Sequence, residues 1–145
     1  MRKSSPRRRV DRRTHPMLQP TAPLAGNDLI DLRVREHLAF DALSKWQGTR
    51  TDLRQLMTSA AVARELAALG YGADQLAELD RAARVLAAAK DLPPGPIGIC
   101  GSLLPAVAWL LQFHDAQRAV VSTRDYLRAL IRVRSDPSRF GLWRV

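Results

Sequence analysis

The chain contains one cysteine, Cys100, so it can close no disulfide within itself and can build no cysteine-rich metal site. A lone thiol is consistent with a reducing cytoplasm. Aromatic residues make up 6% of the chain, and valine and isoleucine are scattered, which argues against a large β-sheet. No long hydrophobic run is present. The longest, Ile97 to Leu111, is broken by Gly98, Gly101, Ser102 and Pro105. It is also shorter than the roughly 20 residues that a membrane span needs, so no membrane association is expected. The arginine-rich start is not followed by an apolar stretch of the kind that marks a secretory signal.

Chemical motifs are missing as well. The sequence has no Gly-rich phosphate loop at a strand–helix junction, no paired Cys or His metal spacing and no Gly-x-Ser-x-Gly elbow. Carboxylates are scattered. Glu36 and His37, like His114 and Asp115, are sequence neighbours. On a helix such neighbours point about 100° apart, so neither pair converges on a point. His15 lies in the N-terminal segment without a visible partner. The expectation is a protein that is not an enzyme and holds no cofactor or metal.

Positive charge is abundant, and it sits at the two ends. The net charge is +9 over 145 residues. Residues 1–13 hold seven basic residues against one acidic, a net of +6. Residues 14–117 hold nine against eleven, a net of −2, and residues 118–145 hold seven against two, a net of +5.

Alanine and leucine dominate the apolar content, and their spacing is helical. The stretch Thr51 to Asp91 reads as two helices joined by Gly70-Tyr71-Gly72. Leu53, Leu56, Met57, Ala60, Ala63, Leu66, Ala67 and Leu69 recur at intervals of three and four, one face of a 3.6-residue helix. Thr51 is the expected N-cap, with Asp52 at the positive end of the helix dipole. Gly70 suits a left-handed C′ position. The second helix starts near Ala73 and Asp74 and carries Leu76, Leu79, Ala82, Ala83, Leu86 and Ala89. Residues Asp91-Leu92-Pro93-Pro94-Gly95-Pro96 end it. A DNA-reading helix-turn-helix is disfavoured, because Asp74, Glu78 and Asp80 would face phosphates and base edges. A packed helical hairpin is the better reading.

Three further helices are expected around this hairpin. A first runs from an Asn27 or Asp28 cap to about Trp46, burying Leu29, Leu32, Leu38, Leu43 and Trp46. Ile97-Gly98-Ile99-Cys100 could be a short strand or an extended apolar segment, with Cys100 a small buried hydrophobe. Ser102 is the expected cap of the next helix, with Pro105 in its first turn and Leu103, Val107, Leu110, Leu111 and His114 on its apolar stripe. The last helix runs from Ser122 or Thr123 to Arg134. Ser122 and Asp125 resemble a capping box, and Tyr126, Leu127, Leu130, Ile131 and Val133 form the buried side. The expected fold is all-α: a single small helical domain of about five helices around a central helical hairpin, residues 27–145. A disordered basic N-terminal arm, residues 1–26, precedes it.

The candidate binding residues follow the charge. Arg124, Arg128 and Arg132 are spaced by four and line one ridge, flanked by Arg118 and Arg134. The arm adds Arg7, Arg8, Arg9, Arg12 and Arg13. Together they suggest a surface for nucleic acid or for an acidic partner protein. The C-terminal tail carries Phe140, Leu142 and Trp143. Large apolar groups so close together should dock somewhere, and Phe140 and Trp143 are candidate docking residues toward this chain's core or toward a second chain.

The segments Arg33-Val34-Arg35-Glu36-His37-Leu38-Ala39, Glu65 to Gly72, Phe113-His114-Asp115-Ala116-Gln117 and Ser122-Thr123-Arg124-Asp125 resemble small helical proteins encoded by phages and prophages of Gram-negative bacteria. The resemblance implies a mobile-element setting in a bacterial cytoplasm. It carries over no activity and no site residues. The expected function is a non-enzymatic accessory protein that binds nucleic acid through its arm and arginine ridge. The alternative is a protein-interaction module that inhibits or redirects a host complex, and a homo-oligomer is a third option.

Overall fold

The structure, a computed structural model, describes residues 27–140. Among them are five α-helices and no strand: α1 Asn27–Ser44, α2 Arg50–Ala68, α3 Leu76–Lys90, α4 Leu104–Val120 and α5 Thr123–Ser135. Short 3-10 turns at Ala73–Gln75 and Pro137–Phe140 lead into α3 and follow α5. The all-α expectation and the central hairpin hold.

Helix α2 is the centre of the domain. Ser59, Ala60, Ala61, Val62 and Ala63 are all buried in succession. Five consecutive residues span more than one full turn, so here the helix is covered on every side. Helices α1, α3, α4 and α5 supply that cover. The alanines permit it, because a methyl group lets neighbouring backbones approach closely.

The joint between α2 and α3 is set by two glycines. The Gly70 N–H donates to Ala67 O and the Tyr71 N–H to Leu66 O, both at 3.0 Å. This is a Schellman closure, and Gly70 adopts φ 108° as that closure requires. Gly72 is also left-handed, at φ 91°, and lies under the Phe113 ring. A Cβ there would stand 2.6 Å from Phe113 Cζ. Phe113 in turn stacks on Trp109 with ring centroids 5.0 Å apart.

Several local expectations need correction. The N-cap of α2 is Thr49, two residues before Thr51. Thr49 Oγ1 accepts from the Asp52 N–H at 3.2 Å, and Asp52 Oδ2 accepts from the Thr49 N–H at 2.8 Å. This is a capping box with aspartate in the usual glutamate position. The start is fixed next door, where Gly48 and Ile97 exchange backbone hydrogen bonds of 3.0 and 2.8 Å. That isolated antiparallel bridge is the β-pairing of the Ile97–Cys100 segment among the described residues, and the Ile99 N–H also donates to Leu43 O at 3.1 Å. The segment is extended, and its alternation turns Ile97 and Ile99 inward. Cys100 points the other way and is exposed, not buried.

Ser102 does not cap α4; that position is Leu103, whose side chain makes no cap. Ser102 Oγ lies 3.4 Å from Cys100 Sγ. Pro105 sits in the first turn as expected. Ser122 does cap α5, accepting from the Asp125 N–H at 3.1 Å. The Asp125 carboxylate, however, accepts from Tyr71 Oη at 2.6 Å. Leu38, Trp46, Leu103 and Ile131 were expected inside and are exposed. Trp46, two residues past the end of α1, has φ 58°, unusual for a side chain this large, and its indole covers Gly98.

Candidate functional site

Helix α5 carries the charged face. Arg124 and Arg128 are exposed and have no ion-pair partner among the described residues. They lie one turn apart, about 6 Å along the axis. Arg132 continues the line, with its Nη1 3.3 Å from Glu65 Oε2 on α2. The nearby carboxylates are engaged: Asp125 by Tyr71, and Asp136 by the Ser138 hydroxyl at 3.0 Å. Arg134 is exposed on a different side of α5.

Arg118 is not part of that surface. Its side chain is 1% exposed, and a fully covered guanidinium cannot meet a phosphate. It lies in the core between α1, α2 and α4, paired with Glu36, which is equally buried. Arg118 Nη1 donates to Glu36 Oε2 at 2.8 Å and Nη2 donates to Glu36 Oε1. Ser59 Oγ adds a hydrogen bond to Glu36 Oε1 at 2.6 Å. Asp115 extends the network outward. It accepts from Arg118 Nη1 at 3.4 Å, and its other oxygen lies 3.3 Å from both Arg33 Nε and His37 Nε2. Burial opposes the charge on Arg118, but the hydrogen bonds and charge of Glu36 more than offset that, and its pKa is raised.

The sequence signal for this pair was present. Glu36 falls on the inward line of α1 with the partly buried Leu32 and the buried Ala39 and Leu43. Arg118 falls one turn after Val107, Leu111 and His114 on the buried line of α4. Two opposite charges on apolar stripes of different helices can satisfy each other inside.

His114 is fully buried beside the pair. Its Nδ1 lies 2.9 Å from Gln117 Oε1. Gln117 Nε2 donates to Ala63 O and Tyr71 O, both at 2.9 Å, which fixes the amide and leaves its oxygen as the acceptor. His114 therefore carries its proton on Nδ1. Desolvation first, then the charge of Arg118, lower its pKa from 6.5 to about 4, so the ring is neutral at pH 7. Above this cluster, between α1, α2 and α5, lies a cleft of about 290 Å³ rimmed by Arg54 and Arg134.

A second, larger groove of about 610 Å³ runs between α2 and α3. Met57, Ala60, Ala61, Leu79, Ala83 and Ala87 form its apolar floor, and Arg139 reaches its lining from beyond α5. The Arg64–Asp80 ion pair, 2.7 Å, joins the two helices at its edge. Glu78 and Asp80 lie in the first turns of α3, as read from the sequence.

Arg7, Arg8, Arg9, Arg12 and Arg13 lie outside the described residues, as do Trp143 and the side chain of Phe140. Among the described residues no group of three or more His, Cys, Asp and Glu side chains is placed to hold a metal ion. No helix among them is long and apolar enough to cross a membrane. Cys100 is exposed, and its hydrogen bond with Ser102 lowers its pKa. Among protein-family models, curated proteins and solved structures, none matches this chain.

Proposed function

We propose that this protein is a non-enzymatic nucleic-acid-binding accessory protein that meets phosphates with the outer face of α5 and with its basic N-terminal segment. One observation carries the reading. Arg124 and Arg128 stand exposed one turn apart, with no ion-pair partner among the described residues. Such cations bind a polyanion by releasing its condensed counterions, with little sequence preference. Arg132 shares its charge with Glu65 and contributes less. Arg7, Arg8, Arg9, Arg12 and Arg13 supply the remaining charge. A bacterial mobile-element setting is part of this proposal and rests on the resemblance of sequence segments alone.

A second reading has its own observation. Ile131 is 65% exposed between Arg128 and Arg132. An apolar side chain among arginines suits a protein partner with an acidic, partly apolar surface. The two readings separate on purification from a bacterial host at low salt, with half the material treated with nuclease. Nucleic acid that co-purifies and is lost on treatment supports the first. A single host protein that persists through nuclease supports the second and contradicts the first.

A further inference from the structure

We propose that the cleft between α1, α2 and α5 binds a small dicarboxylate that also carries a hydroxyl group. This inference is independent of the nucleic-acid reading.

The first argument is a set of unpartnered atoms. Among the described residues, four buried side-chain polar atoms have no hydrogen-bond partner. Three of them, Arg54 Nη1, His114 Nε2 and Arg118 Nε, belong to residues that line this cleft. Buried polar atoms are normally paired, so a group of exceptions in one place marks where a partner belongs. The three atoms differ in what they need. His114 holds its proton on Nδ1, toward Gln117, so Nε2 is a lone pair that needs a donor. Arg118 Nε carries a hydrogen and needs an acceptor. The two residues are four apart on α4 and share a face. A hydroxyl both donates and accepts, so one hydroxyl at the bottom of the cleft answers both needs. Arg54 Nη1 also needs an acceptor, and as a cation it favours a carboxylate.

The second argument is charge. Three arginines and one glutamate line the cleft, a net of +2. Glu36 is already held by Arg118 and Ser59. Arg54, half-buried, and Arg134, exposed at the rim, have no ion-pair partner among the described residues. Two carboxylates match these two cations. The third argument is size and surface. A cleft of about 290 Å³ is at the small end of ligand sites, with room for a molecule of a few carbons and too little for a nucleotide chain. Leu32, Val62, Leu130 and Val133 give it apolar walls for a short hydrocarbon skeleton.

Titration calorimetry of the full chain with L-malate tests this, with succinate as the same dicarboxylate without the hydroxyl. Malate should bind saturably and about tenfold tighter than succinate, the effect of one hydrogen bond at a buried site. In nitrogen-labelled protein the Nε2 resonance of His114 should move with malate and not with succinate. Arg54→Gln should weaken malate binding about tenfold or more. Arg81→Gln, which removes an exposed charge on α3 outside the cleft, should leave it unchanged. If Arg54→Gln fails to fold, the comparison of malate with succinate on the natural chain still decides. Equal affinities overturn the proposal, because ion attraction alone would then account for binding. So does the absence of saturable malate binding. An equal loss in Arg54→Gln and Arg81→Gln also overturns it, since net charge rather than the cleft would then hold the ligand.

Discussion

Arg118 and Glu36, 82 positions apart in the chain, form an ion pair inside the core with both side chains 1% exposed. Two hydrogen bonds join them, and Ser59 adds a third to the same carboxylate. The pair ties α4 to α1 across the face of α2. Removing one partner strands the other as an uncompensated buried charge. Arg118→Met should therefore cost about 3–5 kcal/mol in urea denaturation. Replacing both, as Glu36→Met with Arg118→Met, should recover most of that loss, because an apolar pair removes both desolvation penalties. A double variant as unstable as the single would show that the pair does more than satisfy its own charges.

His114 makes stability depend on pH in a defined direction. Its folded pKa, about 4, lies below the 6.5 of the free side chain. As pH falls from 6.5 toward 4, the unfolded chain takes up a proton that the folded chain refuses, so stability is lost across that window and is fully present above it. Between pH 7.5 and 5 the loss from this residue is roughly 2 kcal/mol. His114→Gln should flatten the profile over the same range. Parallel profiles for the two proteins would contradict this account of the ring.

The turn between α2 and α3 ranks two glycines. Gly70→Ala meets only the strain of its left-handed backbone, since nothing lies within 4 Å of an added Cβ. That costs about 1 kcal/mol. Gly72→Ala meets a similar strain and also the Phe113 ring, so Phe113 and its stacked partner Trp109 must shift. The melting temperature should fall further for Gly72→Ala than for Gly70→Ala, and the reverse order would refute the contact.

The cap of α2 offers a test of local structure. Thr49→Ala should cost about 1 kcal/mol, the usual effect of losing a side-chain N-cap. Thr51→Ala, on an exposed residue inside the first turn, should change stability by no more than about 0.5 kcal/mol. Equal losses would place the cap elsewhere.

The five helices, their order and the left-handed Gly70 after α2 were legible, because they rest on periodic leucines and alanines and on a glycine at a turn position. Residue type alone does not set which side of a helix faces inward. On α1 the inward line runs through the partly buried Leu32 and the buried Glu36, Ala39 and Leu43, so a glutamate takes an inward position and Leu38 is left outside. On α5, Ala129 is buried with Thr123, Tyr126 and Val133, and Ile131 is exposed. Thr51 has the local pattern of a cap, because the backbone bridge from Gly48 to Ile97, about a third of the chain away, is invisible in local sequence. Arg118 counts as surface when grouped with the arginines of α5, but its place on the buried line of α4 marks it as interior, where Glu36, 82 residues away, pairs with it. The outward face of Arg124 and Arg128 was legible, since charges four apart opposite an apolar stripe have only one side to occupy.

Phosphate binding by α5 is the proposed function. Its most direct test is the affinity of the full chain for a short duplex DNA across a range of salt concentrations, compared with Arg124→Glu plus Arg128→Glu. The account predicts weaker binding and a slope of log affinity against log salt that falls in magnitude by about 1.8, the value for two lost phosphate contacts. An unchanged affinity and slope in a folded variant would contradict it.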